Sequence, residues 1–384
     1  MTADFNRRSF LLGAAGAVAA ASSLRTGIAQ AEAKASFTRL TPLYGPPPGI
    51  AKLNANENPY GPSKAALAAM QEAGASGAYY VFDSAKALRA MIAERNGVEP
   101  EYVALSSGSS GALVACAVAA GQKGNILGPD LFWDTTSKSV EKQGIAEIVR
   151  LPKHPGMEID LDAMYAAIDD SIAMAQIVNP NNPTGMLMDP VKVRDFAIKA
   201  SKKTTVLIDE AYNEVTDNPD ANSMVSLVKD GHDVVIARTF SKIYGLAGMR
   251  VGYIIAAPEK IEAMSSFGIG WYGLNQAGLA AAIASYEDEA FMSASRAKIK
   301  EAREMVYAGL KENGLTGLPS QTNFIFVDLG GINADEFRAA MAKENVLIRG
   351  VYRDYTSMSR VSMGRLEHVQ MYVDALPKVL SQFG

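Results

Sequence analysis

Residues 238–253 read Arg-Thr-Phe-Ser-Lys-Ile-Tyr-Gly-Leu-Ala-Gly-Met-Arg-Val-Gly-Tyr. Lys242 stands among hydroxyl and small residues, and Arg250 follows it across a Gly-Leu-Ala-Gly bend. Lysine is the side chain that holds an aldehyde as an imine. The Ser241 hydroxyl just before Lys242 and the guanidinium of Arg250 after it are suited to a phosphate. An aldehyde and a phosphate together describe pyridoxal 5′-phosphate (PLP). Taken alone, the same stretch also reads as a basic surface loop with flexible glycines, so the decision falls to three other segments.

The first is Ile208-Asp209-Glu210-Ala211-Tyr212, after the apolar, β-branched run Thr205-Val206-Leu207. That run reads as a buried strand. A carboxylate at the C-terminal end of such a strand lies where open α/β sheets place ligands. There Asp209 would keep a pyridine nitrogen protonated and Tyr212 would donate to the ring's phenolic oxygen; the competing reading is an Asp that opens a loop or caps a helix. The second segment, Asn179-Pro180-Asn181-Asn182-Pro183-Thr184-Gly185, follows the strand-like Ala175–Val178. Its prolines and glycine dictate a defined turn from which Asn182 projects an amide. The third is Ser106-Ser107-Gly108-Ser109-Ser110-Gly111, between the strand-like Tyr102–Leu105 and the apolar run Ala112–Ala120. Strand, Gly/Ser loop and helix in that order make an anion site of free backbone amides. No Gly-Lys-Ser/Thr follows, so it is not a P-loop.

Together, and in this order, the segments resemble those of the fold-type I PLP-dependent aminotransferases, and within them the histidinol-phosphate aminotransferases. The likeness runs from roughly Leu40 to the C-terminus and includes the opening Leu53-Asn54-Ala55-Asn56-Glu57-Asn58-Pro59-Tyr60-Gly61-Pro62. It implies Lys242 as the Schiff-base lysine and proton shuttle, with Asp209 on the pyridine nitrogen and Tyr212 and Asn182 on the phenolic oxygen. It implies Gly108, Ser109, Ser110, Thr239, Ser241 and Arg250 around the phosphate. Phe132 is the best match for the aromatic stacked on the ring, with Trp133 a rival because Pro129-Asp130-Leu131-Phe132-Trp133 departs from the family's usual order. Arg360 matches the arginine that clamps a substrate carboxylate, a task for which a planar guanidinium is suited. Arg349 matches a second nearby arginine, and Tyr44 and Tyr80 fall near two tyrosines that reach the substrate, one often from a partner subunit. The family's activity is ping-pong transfer of an amino group between an amino acid, or amino-acid-like amine, and a 2-oxo acid. Other outcomes on the same fold are a racemase, a decarboxylase, a β-lyase or a PLP oxidase, and a non-catalytic binding module is the reading outside enzymes. Retention of Lys242, Asp209, Tyr212 and Arg250 together speaks against the last.

Asn6-Arg7-Arg8-Ser9-Phe10-Leu11, the apolar stretch to Ala21 and the Ala-x-Ala sites at 29–33 read as a twin-arginine export signal. The expected location is therefore periplasmic, with a substrate other than a histidine-pathway intermediate. The chain is 48% hydrophobic and 20% charged with formal net charge −4, which leaves no basic footprint for nucleic acid. Beyond the leader, no apolar run is long enough for a bilayer. His154, His232 and His368 lack metal-ligand spacing, and no metal is expected; the single Cys116, in an alanine-rich run, reads as a buried thiol.

The expected organisation is a signal peptide over 1–33, an arm over 34–62, a large PLP-binding domain over 63–275 and a smaller C-terminal domain over 276–384. The large domain alternates strand-like runs (125–127, 148–151, 175–178, 205–208, 234–237, 251–255) with helical ones. That pattern predicts an α/β fold with a mostly parallel central sheet flanked by helices. The small α+β domain opens on a long helical stretch from Gln276 to Lys311, followed by a strand over 322–329. The resemblance implies a homodimer.

Overall fold

Seven strands form the central sheet of the computed structural model, which describes residues 45–384. The leader and Tyr44 lie outside the described residues. The strands are β2 (Val103–Ser107), β3 (Asn125–Gly128), β4 (Ile148–Arg150), β5 (Ile172–Val178), β6 (Thr205–Asp209), β7 (Val234–Thr239) and β8 (Val251–Ile255). Their order across the sheet is β2-β8-β7-β6-β5-β3-β4. Every pairing is parallel except those of β8, which runs antiparallel to both β2 and β7. β5 to β8 are near-continuous apolar runs and are almost wholly buried. That is the pattern of strands covered on both faces. The reversed strand β8 was not foreseen; it follows directly from the short connection out of β7, which returns the chain beside its own strand.

The Ala-rich helix Gly108–Gly121 packs against this sheet. β8 approaches its start so closely that a Cβ on Gly252 would lie 2.3 Å from the Ser109 nitrogen, which only glycine permits. Cys116 lies inside this helix against Met264, and burial pushes its thiol up to about 12, so it stays protonated and unreactive.

Toward the C-terminus, β9 (Thr316–Gly317), β10 (Phe324–Asp328) and β12 (Met358–Ser362) form an antiparallel sheet in the order β12-β10-β9. β1 (Ala51–Lys52) crosses from the N-terminal side to pair in parallel with β11 (Val346–Leu347), carrying the Asn54–Asn58 segment toward the C-terminal sheet. The helical stretch expected over 276–311 consists of two helices, Gln276–Tyr286 and Glu289–Glu312. The break comes at Asp288, whose carboxylate accepts the Phe291 N–H and starts a new helix. Gly49–Gly384 forms one compact unit. Among the described residues no helix is long and apolar enough to cross a membrane.

Candidate active site

A cavity of about 520 Å³ opens at the C-terminal edge of the parallel strands. It is the crevice where an α/β sheet offers strand ends and helix starts to a ligand. Asp209 ends β6 and Thr239 ends β7, Asn182 lies in the turn after β5, and Phe132 and Trp133 lie in the turn after β3. Lys242, Arg250, Tyr212, Ser109, Ser110, Ser241, Arg349 and Arg360 also lie on its wall, whereas Gly108 does not line it.

At one end the donors suit a phosphate. The helix Gly108–Gly121 starts directly after β2, with no intervening loop, and Ser107 places no side-chain cap on it. Its first backbone N–H groups are therefore free to face an anion. The Thr239 and Ser241 hydroxyls lie 2.9 Å apart, and Arg250 reaches Ser241 Oγ at 3.4 Å. Gly108 has φ +65°, and a Cβ there would sit 2.2 Å from Arg250 Nη2, so glycine leaves the space that the guanidinium fills.

At the centre, Asp209 is 3% exposed, and burial pushes its carboxyl up to about 6, against the pull of the Ala211 N–H and the Lys242 charge. A carboxylate so placed lacks a close cationic hydrogen-bond partner, and the protonated nitrogen of a pyridine ring would provide one. The Lys242 ammonium donates to the Asn56 carbonyl at 3.2 Å and lies 5.2 Å from the centre of the Tyr212 ring. Tyr212 Oη accepts from Asn56 Nδ2 at 2.9 Å and from Asn182 Nδ2 at 3.4 Å, which leaves its own proton free to donate.

At the far end, Arg360 is 7% exposed and hydrogen-bonds Asn182 Oδ1 at 2.7 Å, while its Nε has no partner. It lies over the Phe324 and Tyr352 rings at 5.1 and 5.5 Å. Burial, with the nearby Arg349 charge, pulls its guanidinium below the usual value. Arg349 is fixed beside it by backbone hydrogen bonds of 3.0 and 3.3 Å between the two residues. Among the described residues no carboxylate lies within 4.0 Å of Lys242, Arg250, Arg349 or Arg360. Cations left without counter-ions around one cavity define a site for anions, a chemistry that suits a phosphorylated cofactor plus an anionic substrate.

The structure does not bring Tyr80 to this cavity. It is 79% exposed and packs edge-on against Trp271 at 6.0 Å. Phe132 and Trp133 both line the cavity. Phe132 is the more buried and lies against Gly128, with Arg150 5.9 Å from its ring centre. Two contributors had no role from sequence reasoning. Asn56 bridges Lys242, Tyr212 and Ser362, and its signal was present in the Asn-Glu-Asn-Pro run. Tyr352, beneath Arg360, carried no local signal. Arg238, the first residue of the deciding stretch, is not part of a surface loop: it is buried and paired with Glu210 at 2.7 and 3.0 Å.

These features are those of a PLP-dependent aminotransferase of fold type I. The model of the family described as aminotransferase class I and II matches residues 48–376, and the chain belongs to that family. Within it the chain is similar to histidinol-phosphate aminotransferases. Histidinol-phosphate aminotransferase 2 of Pseudomonas fluorescens (strain Pf0-1) is 33% identical over 339 residues, 88% of this chain and 90% of the relative. The crystal structure of histidinol-phosphate aminotransferase from Sinorhizobium meliloti in complex with pyridoxal-5′-phosphate is 28% identical, with a TM-score of 0.80 over 91% of this chain and 99% of that one. The fold also carries other names: L-threonine-O-3-phosphate decarboxylase from Porphyromonas gingivalis has a TM-score of 0.73 at 22% identity, over 86% of this chain and 100% of that one.

Proposed function

We propose that the chain moves an amino group from an amino acid, or an amino-acid-like amine carrying a carboxylate or phosphate, to a 2-oxo acid, with the residue roles set out here. The observation that carries the donor class is the buried, carboxylate-free Arg360 beside Arg349 at one end of the PLP cavity. When bound, PLP supplies an aldehyde for the donor's amine and a protonated ring that accepts the electron pair left by a departing α-proton.

The protein's own groups do the rest. Asp209 holds the proton on the ring nitrogen, because a buried carboxylate is stabilised by a cation at hydrogen-bond range. Tyr212, oriented by Asn56 and Asn182, donates to the ring oxygen. Gly108, Ser109, Ser110, Thr239, Ser241 and Arg250 hold the phosphate, and Phe132 or Trp133 covers the ring. Lys242 Nζ would hold the cofactor's aldehyde and, once freed by the donor amine, would carry the proton between the donor's α-carbon and the cofactor carbon on the far side of the shared nitrogen. Arg360 binds the donor's carboxylate or phosphate and fixes which bond faces Lys242. Donor and acceptor use the same groups in succession, giving ping-pong kinetics.

The test is a half-reaction screen. Purified holoenzyme is mixed with single amino acids and with L-histidinol phosphate, without an acceptor, and the visible absorbance is followed. Stoichiometric bleaching with release of an oxo product supports the assignment. Loss of optical purity without bleaching, or carbon dioxide release, would contradict it.

Two further parts of the proposal concern assembly and address. Tyr80, Phe82 and Tyr272 are 55–81% exposed and cluster around Trp271. An aromatic patch of this kind supports coverage by a second copy, in a homodimer where Tyr80 reaches the partner's cavity. Export rests on Arg7-Arg8 and the apolar stretch that follows. Replacing both with Lys is expected to leave the precursor in the cytoplasm, and unchanged export would refute the address.

A further inference from the structure

The segment between β11 and β12 carries Arg349, Val351, Tyr352 and Arg353 of the cavity wall. Its root is fixed by the Arg349–Arg360 backbone pair and by Ser359 Oγ, which donates to the Arg349 carbonyl at 2.6 Å. Its tip has no regular structure beyond a tight turn, in which Arg353 has φ +50°, a conformation that side-chain-bearing residues rarely adopt. On its own side the loop is held by Val351 N–H to Asp335 Oδ1 at 3.3 Å, Ala334 N–H to the Thr356 carbonyl at 2.8 Å and the Tyr352 ring against Phe326, and its tip is also tied from across the cavity. Asp130, in the turn after β3, accepts the Tyr355 hydroxyl on Oδ2 at 2.7 Å and pairs with Arg353 on Oδ1 at 3.3 Å. Its backbone carbonyl accepts from the same guanidinium at 2.5 Å. Lys153 adds a contact 4.6 Å from the centre of the Tyr355 ring and 3.8 Å from Asp354.

The Asp130 side chain is only 12% exposed, so these bonds are less screened than those of a surface ion pair. Asp130 also lies two residues before Phe132, in the segment that supplies the aromatic wall. One carboxylate therefore joins the cofactor-side wall to the substrate-side wall.

We propose that Asp130 is a positioning residue that, through Arg353 and Tyr355, fixes the loop carrying Arg349 and Tyr352 and so sets the substrate-binding geometry. It touches neither cofactor nor substrate. The proposal rests on the aminotransferase reading for its kinetic consequence, but its structural consequence stands apart from that reading.

The test uses full-length holoenzyme with Asp130→Ala, Asp130→Asn and Tyr355→Phe, and the Asp130→Ala/Tyr355→Phe double variant. In Asp130→Ala, backbone amides of residues 350–357 are expected to exchange hydrogen about tenfold faster, while those of β5 to β7 and the visible absorbance of bound cofactor stay as in the parent. KM for L-histidinol phosphate is expected to rise about tenfold with kcat within about twofold, the scale of one lost charge-assisted hydrogen bond. Asp130→Asn, which keeps an acceptor for Tyr355, recovers most of both effects. The double variant exchanges no faster than Asp130→Ala alone, because both substitutions break the same link. Unchanged exchange at 350–357, faster exchange throughout the sheet, or additive effects in the double variant would overturn the proposal. If the parent enzyme does not turn over L-histidinol phosphate, that result counts against that donor, and the exchange data decide the role of Asp130.

Discussion

Replacing Asp209 with Asn separates what this carboxylate costs the empty fold from what it gives the loaded one. Asn keeps the shape and an oxygen that can still accept the Ala211 N–H, now 3.1 Å from Asp209 Oδ1. Only the ionisable group is lost. In the protein without PLP, burial raises the carboxyl from 3.8 to about 6. Because the folded state holds the proton more tightly than the unfolded chain, this group's contribution to stability is fully present below pH 3.8 and is lost as pH rises through about 6. At about 1.36 kcal/mol per tenfold in proton affinity, the loss by pH 7 is on the order of 3 kcal/mol. PLP-free Asp209→Asn is therefore expected to resist denaturant better than the PLP-free parent at pH 7, by up to about 3 kcal/mol, with the advantage shrinking toward pH 4. The holoenzyme should show the reverse. Asn cannot hold a proton on the ring nitrogen, and turnover should fall by about 10²-fold or more. Urea unfolding of both forms at several pH values, with activity at pH 7, makes the check. A PLP-free variant no more stable than its parent at pH 7 would refute the assignment of a strained carboxylate awaiting a cationic partner.

Arg360→Lys keeps a charge but loses the planar fork, and kcat/KM should drop about 10- to 100-fold with PLP affinity unchanged; steady-state kinetics and a cofactor titration read both. Gly108→Ala forces a Cβ into the Arg250 guanidinium at a positive φ. The strain should cost on the order of 1–3 kcal/mol and weaken PLP binding, seen in thermal melts with and without cofactor.

The sheet-end part of the cavity was legible because each of its residues is announced locally. Asp209 and Thr239 sit at the ends of apolar runs that can only be buried strands, and Asn182 sits in a turn spelled by two prolines and a glycine. The substrate end was less legible because it is assembled from distant segments. Phe324 and Arg360 meet only because β10 and β12 pair, and Asn56 joins them only because β1 pairs with β11. Element boundaries erred where a capping side chain or a close approach decides them. Asp288 divides what reads as a continuous helical stretch. Ser106 and Ser107, read as part of a loop, belong to β2, which runs straight into a helix because Gly108 supplies the turn alone. Tyr80 could not be placed from one chain, since its environment within that chain is solvent and Trp271.

Borohydride treatment of the PLP-loaded protein, followed by peptide mass mapping, tests the central claim most directly. The account predicts a single phosphopyridoxyl group on the peptide containing Lys242, and none in Lys242→Ala. A label on another lysine, or no label with cofactor bound, would contradict it.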